Sequence, residues 1–336
     1  MNSFTDIGQF RNVIRAVKSH HDYVGKDDNG DPIYNHVGTY PTLKFRGTVK
    51  LHGTNSAMVK YADGHIEYQS RENVLSLQKD NNNFMLAMSN IDVNQLFEGI
   101  SFKEHCAIFG EYCAGDIQKG MAISSLPKML VIFAVKIDGV YQDMENYKHL
   151  KMEDKRIFNI LQFPHFYMDI DFEKPEVAQN ELVKLTMDVE NQCPVGKYFG
   201  IDGANPDKST LGEGIVWEHI NDKQRYIFKV KGEKHSSSKV KKLATVDIEE
   251  IEDIKSFVEY AVTENRMLQG IEKLKEMHIP IDIKSTGDYL RWIVGDVIKE
   301  ESDTIIANQI NVKKLNGYIS QKARPFWMNY LNTEGV

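Results

Sequence analysis

The sequence predicts an α+β chain, with largely antiparallel sheets in its first part and an all-α C-terminal domain. Three observations predict it. Up to about residue 245, short runs of β-branched and aromatic residues are punctuated by Gly, Asp and Asn, as strands bounded by turns are. Helical stretches such as 174–190 are interleaved with these runs. From 246 onward, apolar residues recur at helical spacing. The 336 residues suffice for two domains at ~100–200 residues each, read here as 1–245 (1–39 being an N-terminal extension) and 246–336.

The expected strands are, in order, YPTLKFRGTVKLHG, SAMVKYADGHIEYQSR, HCAIFGEYCAG, MLVIFAVKIDGVYQD, GIVWEHI and RYIFKVKG. Asp63-Gly64 and Asp138-Gly139 are hairpin-turn dipeptides. Residues 20–40, with DDNGDP, read as an N-terminal loop or extension. In the C-terminal part Asp247 can cap a first helix carrying Ile248, Ile251, Ile254, Phe257 and Val258. A second helix follows Pro280, with Leu290, Ile293, Val294, Val297 and Ile298 in one apolar stripe. A third helical stretch runs from about 304 into Pro325.

Composition narrows the function classes. At 41% hydrophobic and 26% charged, with nine prolines, the chain is expected to be globular and soluble. It has no apolar run of the ~18 or more residues that a membrane helix needs, and its N-terminus lacks a signal-peptide pattern. A cytoplasmic location without membrane association is expected. Cys106, Cys113 and Cys193 are too few and scattered for a disulfide framework. The formal net charge of −7 argues against a nucleic-acid partner only if it is evenly spread. It is not: residues 223–242 hold eight basic residues and one acid, a local +7, so the rest of the chain carries −14. Local potential decides anion binding, and this strip has the charge of a phosphate-binding segment.

Lys50-Leu51-His52-Gly53-Thr54-Asn55 sits between two strand-like runs. A lysine amine there can attack the α-phosphate of a nucleotide, provided burial and nearby cations lower its pKa. Gly53 would let the backbone turn close to the phosphate. Alone, such a Lys-x-x-Gly is also an ordinary solvated hairpin lysine. Its company is more specific: Ser70-Arg71, where the arginine could reach ribose or phosphate; Phe109-Gly110-Glu111-Tyr112, where Glu111 could accept a ribose hydroxyl; the apolar run Leu130–Val135, able to wall a base; and Glu213-Gly214, where the carboxylate could anchor Mg²⁺. In Tyr226–Lys231, strand alternation puts Lys229 and Lys231 on one face and Tyr226, Phe228 and Val230 on the other. Two ammoniums on one face can bind a triphosphate and stabilise developing charge.

This ordered set over about 180 residues resembles the covalent nucleotidyltransferase superfamily of polynucleotide ligases and RNA capping enzymes. KLHGTN, FGEYCAGDIQKG and EGIVWE are similar to motifs of the phage RNA ligase 2 family, nick-sealing RNA ligases that include the kinetoplastid RNA-editing ligases. Val262–Arg266, Gly295–Glu301 and Ala323–Trp327 resemble that family's helical domain. The resemblance begins near residue 40 and covers nearly all of the chain that follows.

The resemblance implies an ATP-grasp-like nucleotidyltransferase fold and an ATP-dependent RNA ligase joining 3′-OH and 5′-phosphate ends of nicked duplex or broken RNA, in RNA repair. The cofactors implied are ATP and Mg²⁺ or Mn²⁺. Lys50 would form lysyl-AMP, with His52 serving later steps and Lys229 and Lys231 the phosphates. Val49, Asn55, Arg71 and Glu111 would contact the nucleotide, and Glu213 the nucleotide and metal. Arg266, Asp296 and Glu300 match positions needed for sealing; Asp296 and Glu300 are i, i+4 on the second helix, off its apolar stripe. Two departures stand out. Val135-Lys136 occupies the place of an aromatic followed by Asp, so the base packs on Val135 or on Phe133. His235 stands near an expected aromatic. No obligatory protein partner is implied, and a monomer is expected. The competing readings are a DNA ligase or RNA guanylyltransferase, whose tails are usually β-rich, and a non-catalytic RNA-binding relative.

Overall fold

A computed structural model describes residues 1–35, 38–115, 117, 119–221, 224–232, 254–308 and 310–333. The chain divides into two compact units, Met1–Gly232 and Glu233–Val336. The boundary expected at 245/246 lies outside the described residues, as do Asp247, Ile248 and Ile251.

The first unit runs α1 (Phe10–Asp22), β1 (Tyr23–Lys26), β2 (Pro32–Tyr34), β3 (Thr42–Lys50), β4 (Gly53–Tyr61), β5 (Ile66–Ser70), α2 (Phe84–Ser89), β6 (His105–Cys113), β7 (Met129–Ile137) and β8 (Val140–Gln142). It continues with β9 (Ile157–Asn159), β10 (His165–Asp171), α3 (Pro175–Asn191), α4 (Pro194–Tyr198), β11 (Gly214–Ile220) and β12 (Arg225–Lys231). One antiparallel sheet has the order β10-β3-β11-β12, and a second the order β5-β4-β6-β7-β8. Strand β9 joins β7 in parallel. The stretch expected as an N-terminal loop instead ends α1 and pairs β1 with β2.

Local chemistry explains these elements. Between β7 and β8, Asp138 and Gly139 both take left-handed φ, 46° and 86°, as a tight hairpin requires. The Asp138 carboxylate also accepts the backbone N–H groups of Lys103, Glu104 and His105 at 2.8–3.0 Å, which hold it below the usual carboxylate range. Phe10, Val13 and Val17 recur at helical spacing on α1 and are buried; Phe10 packs on Phe228 with ring centroids 4.9 Å apart. Alternation sends Phe45 and Val49 of β3, Ile215 and Trp217 of β11 and Phe228 of β12 into the main core. Gly47 makes room for Trp217, whose ring a Cβ would approach to 2.8 Å.

The second unit comprises α5 (Ile254–Ala261), α6 (Glu264–Glu276), α7 (Thr286–Glu300), α8 (Ser302–Ala307) and α9 (Val312–Thr333). Its core gathers Phe257, Ile271, Ile293, Val297, Leu315 and Ile319 around Tyr289 and Trp327, whose rings stack at 4.5 Å. Each of those rings also satisfies its polar atom: Tyr289 donates to the Met267 carbonyl and Trp327 to Thr286. The third helical stretch differs from expectation. It is two helices, and α9 runs through Pro325 to Thr333. Buried Ala323, Trp327 and Leu331 on either side of the proline supply packing that outweighs the lost backbone hydrogen bond. Among the described residues, no helix is long and apolar enough to cross a membrane.

Candidate active site

Strand register builds the site. Lys50, the last residue of β3, lies opposite Gly214 on β11, and Gly214 lies opposite Lys231 on β12. Side chains in register across a sheet share a face, so Lys50 and Lys231 flank a glycine with no side chain. Glu213, immediately before β11, fills the space between them. Lys50 Nζ donates to Glu213 Oε2 at 2.7 Å, and Lys231 Nζ lies 3.1 Å from Oε1. His52 Nδ1 is 3.3 Å from Oε2. Both carboxylate oxygens are thus engaged, on a residue only 4% exposed.

The electrostatics follow from this packing. Burial opposes ionisation of Glu213, but Lys50, Lys231 and His52 outweigh it and hold the carboxyl well below its ordinary value. Burial also pushes Lys231 down to about 8, assisted by Lys50 and Lys229 and resisted by Glu213. Lys229 is one row along the same face, opposite Val216, which is opposite Thr48. The third row is Arg46, Glu218 and Ile227. Alternation from Lys50 and Gly214 could have found Thr48 and Val216. The ion-pair network beyond them could not be found that way: Arg46 pairs with Asp143, Glu145 and Glu218 at 2.8, 3.2 and 3.4 Å, and Arg225 with Glu218 at 2.7 Å.

The second sheet faces this one. Asn55 lies opposite Glu111, and Ala57 opposite Phe109, across β4 and β6. Phe109 and Ala57 share a buried cluster with Ala134, and Ile227 of the lysine face packs against that cluster. The cleft between the sheets therefore carries Lys50, Lys229 and Lys231 on one wall and Asn55 and Glu111 on the other. Arg71, just past β5, pairs with Asp6 at 3.0 Å.

Several expectations are corrected. The Val49 side chain is buried in the main core on the face opposite Lys50, leaving only its backbone beside the cleft. Val135 is likewise fully buried in that core and offers a base no surface. Phe133 sits where the β6–β7 register shifts; it is only partly buried and packs both on that core and on Phe4, with centroids 5.0 Å apart, so it differs from Val135 in exposure. Gly53 has a structural role of its own. It opens β4, and a Cβ there would lie 2.5 Å from the Tyr112 carbonyl oxygen, so glycine is needed for strand approach.

Arg266 belongs to the second unit and is fully buried, 2.8 Å from Asp296 and 3.6 Å from the equally buried Glu301. Asp296 thus turns inward to Arg266 rather than simply projecting from a solvated face beside the half-buried Glu300. Glu301 was not distinguishable in the sequence from its acidic neighbours. Lys223, Lys234, His235, Lys239, Lys241 and Lys242 of the basic strip lie outside the described residues. Its Arg225 is engaged internally by Glu218 and sits over the Tyr141 ring at 3.7 Å.

The chain matches the model of a family described as RNA ligase over residues 43–231. No curated protein matches it. Among solved structures it is similar to a Naegleria gruberi RNA ligase with pyrophosphate, at 16% identity and a TM-score of 0.44, covering 70% of this chain and 56% of that one. A variant of that ligase with AMP and Mn gives 15% identity and a TM-score of 0.45, covering 69% and 56%. The chain spans just over half the length of these ligases.

Proposed function

The chain belongs to the RNA ligase family, and on that premise we propose that it is an ATP-dependent ligase joining RNA 3′-OH and 5′-phosphate ends, most suitably at nicks in duplex RNA. The observation that carries this reading is the Lys50–Glu213–Lys231 cluster in a cleft whose far wall bears Asn55 and Glu111. In the first step the Lys50 amine, once its ammonium proton has passed to solvent, forms a bond to the α-phosphorus of ATP as the bond to the bridging oxygen breaks, releasing pyrophosphate, and loses one further proton to solvent as the phosphoramidate forms. AMP then passes to the RNA 5′-phosphate, and the 3′-OH displaces AMP to form the phosphodiester. Each step is a transfer at phosphorus, so positioning and charge neutralisation dominate catalysis.

Glu213 orients Lys50 before attack, while Lys229 and Lys231 neutralise the phosphates. Among the described residues no group of three or more His, Cys, Asp or Glu could hold a metal ion. The donor set therefore fits Mg²⁺ or Mn²⁺ only as such ions commonly bind with nucleotides, through one or two carboxylates plus substrate phosphates. Glu213 would hold the ion, and its chemistry would be charge neutralisation at the phosphates. Arg266, Asp296 and Glu300 are proposed to serve sealing, with Arg266 acting from inside the helical unit.

Incubation with α-labelled ATP and Mg²⁺ should label the protein covalently, and Lys50→Ala should abolish the label. Retained label in that variant would move the nucleophile elsewhere. An unlabelled wild type beside an active control ligase would sink the proposal. Comparing nicks with an RNA or a DNA 3′-OH, and ATP with GTP, separates this reading from a DNA ligase or guanylyltransferase.

A further inference from the structure

The N-terminal segment before α1 runs along the two sheets and inserts one buried side chain, Phe4, between them. Phe4 is buried among Ala57, Val59, Ala107, Phe109 and Ala134, with Phe133 and Ile227 packed against the same cluster. Its ring contacts Phe109, Phe133 and Tyr141 at centroid distances of 5.4, 5.0 and 5.6 Å. The segment is tied to both sheets. The Asn2 N–H donates to Gln69 Oε1 at 3.0 Å, and the Thr5 N–H and hydroxyl both reach Tyr141 Oη at 2.9 Å. Asp6 pairs with Arg71, and the Gly8 carbonyl accepts the Lys229 N–H at 3.0 Å.

We propose that this segment is the base-end wall of the nucleotide pocket, with Phe4 a specificity-determining residue that limits how far a base enters and Asp6 a positioning residue that holds Arg71. The inference rests on the ATP-dependent reading above. Its geometry comes from strand register: Phe4 packs at the row of Ile227, four residues along β12 from Lys231, or about 13 Å at the usual strand rise. That separation along the strand is comparable to the span of a ribose and one base. The far end suits a base and not a phosphate. It is aromatic, and the cations the described residues place there are already engaged: Arg225 is paired with Glu218 and stacked over Tyr141 and Phe4 at 3.7 and 5.1 Å, Arg46 is paired with Asp143, Glu145 and Glu218, and Lys136 lies over the Tyr141 ring at 5.2 Å. Phe4 covers part of Phe133 edge-on, at 75° between ring planes, and Phe133 keeps partial exposure. Asp6 is 60% exposed and Arg71 34%, so the pair can orient the guanidinium without being buried itself.

The test uses the full chain and covalent labelling with ATP against N6-benzyl-ATP, an analogue enlarged on the base. Wild type should take ATP and discriminate strongly against the analogue. Phe4→Ala should raise the KM for ATP several-fold and improve use of the analogue relative to ATP by about tenfold, with Phe4→Leu intermediate; melting curves verify that both variants fold. If Phe4→Ala does not fold, Phe4→Leu carries the same comparison. Asp6→Asn should raise the KM for ATP about threefold with kcat little changed, and Asp6→Glu should restore it. A labelled wild type whose analogue-to-ATP ratio is unchanged in the folded Phe4 variants overturns this inference alone. A lower KM in Asp6→Asn would make Asp6 a competitor of the nucleotide and overturn its positioning role. An unlabelled wild type overturns both this inference and the reading beneath it.

Discussion

Glu213 is where the charges of the cleft meet. Its folded pKa lies below its unfolded value, so the stability it contributes is present above the ordinary glutamate range, roughly pH 4.3. It is lost as pH falls through the depressed folded value. Glu213→Gln removes the negative partner from a buried pair, a change that typically costs about 3–5 kcal/mol. Urea unfolding of the variant should show that loss near neutral pH and a much smaller difference at strongly acidic pH. Equal stability at pH 7 would mean that the two lysines find other partners.

Lys231 has the opposite bearing on stability. Its folded pKa is about 8, against an ordinary value of 10.5. Its burial as a cation therefore costs stability in full below pH 8, and the cost is relieved as pH rises from the folded toward the unfolded value. If Lys231 must be charged to hold phosphates, adenylylation should decline above about pH 8. Lys231→Arg, whose guanidinium stays charged, should carry that alkaline limb upward in a pH–rate profile. An unmoved limb would assign the decline to another group.

At the scale of elements, glycines set how closely the strands of the site approach. Gly214 has φ of 151°, and a Cβ there would stand 2.1 Å from the Val230 carbonyl oxygen. Gly214→Ala must push β11 from β12 and disturb the row that sets Lys50 beside Lys231. The expected cost is about 1–3 kcal/mol or more, read as a lower urea midpoint together with reduced covalent labelling. A variant as stable and active as wild type would show that β12, an edge strand, yields without consequence. The two glycines of the most distinctive motifs, Gly53 and Gly214, thus serve close strand packing, and only indirectly the nucleotide.

Across the whole molecule, every described residue assigned to nucleotide attack lies in the unit Met1–Gly232, which has its own core. A chain ended after residue 245 should therefore still form the covalent adenylate with labelled ATP while losing most of its joining of RNA ends. Failure to label, with a folded circular dichroism spectrum, would mean that the helical unit takes part in the first step. The three cysteines are free and buried, and burial pushes the Cys106 thiol to about 12 and raises Cys113 and Cys193 as well. They are packing residues, not nucleophiles.

Strand periodicity alone was enough to place Lys229 and Lys231 on one face, because successive side chains of a strand must alternate. The α+β class, the helical second part and the Asp-Gly turn between β7 and β8 were legible for equally local reasons: apolar period and turn chemistry act over a few residues. What faces what across the cleft was not legible. Glu213 reaches Lys50 over 163 residues of chain, and Asp6 reaches Arg71 over 65, with no local signal marking either pair. Sheet register and the packing of two sheets made those contacts. The same packing buried Val135 while leaving Phe133 partly exposed, drew Arg266 into the helical core, and brought Phe4, from a segment that looked like an extension, against both sheets. Local periodicity determined which residues could share a face; only the tertiary structure decided which faces meet, because burial and charge pairing depend on distance in space and not along the chain.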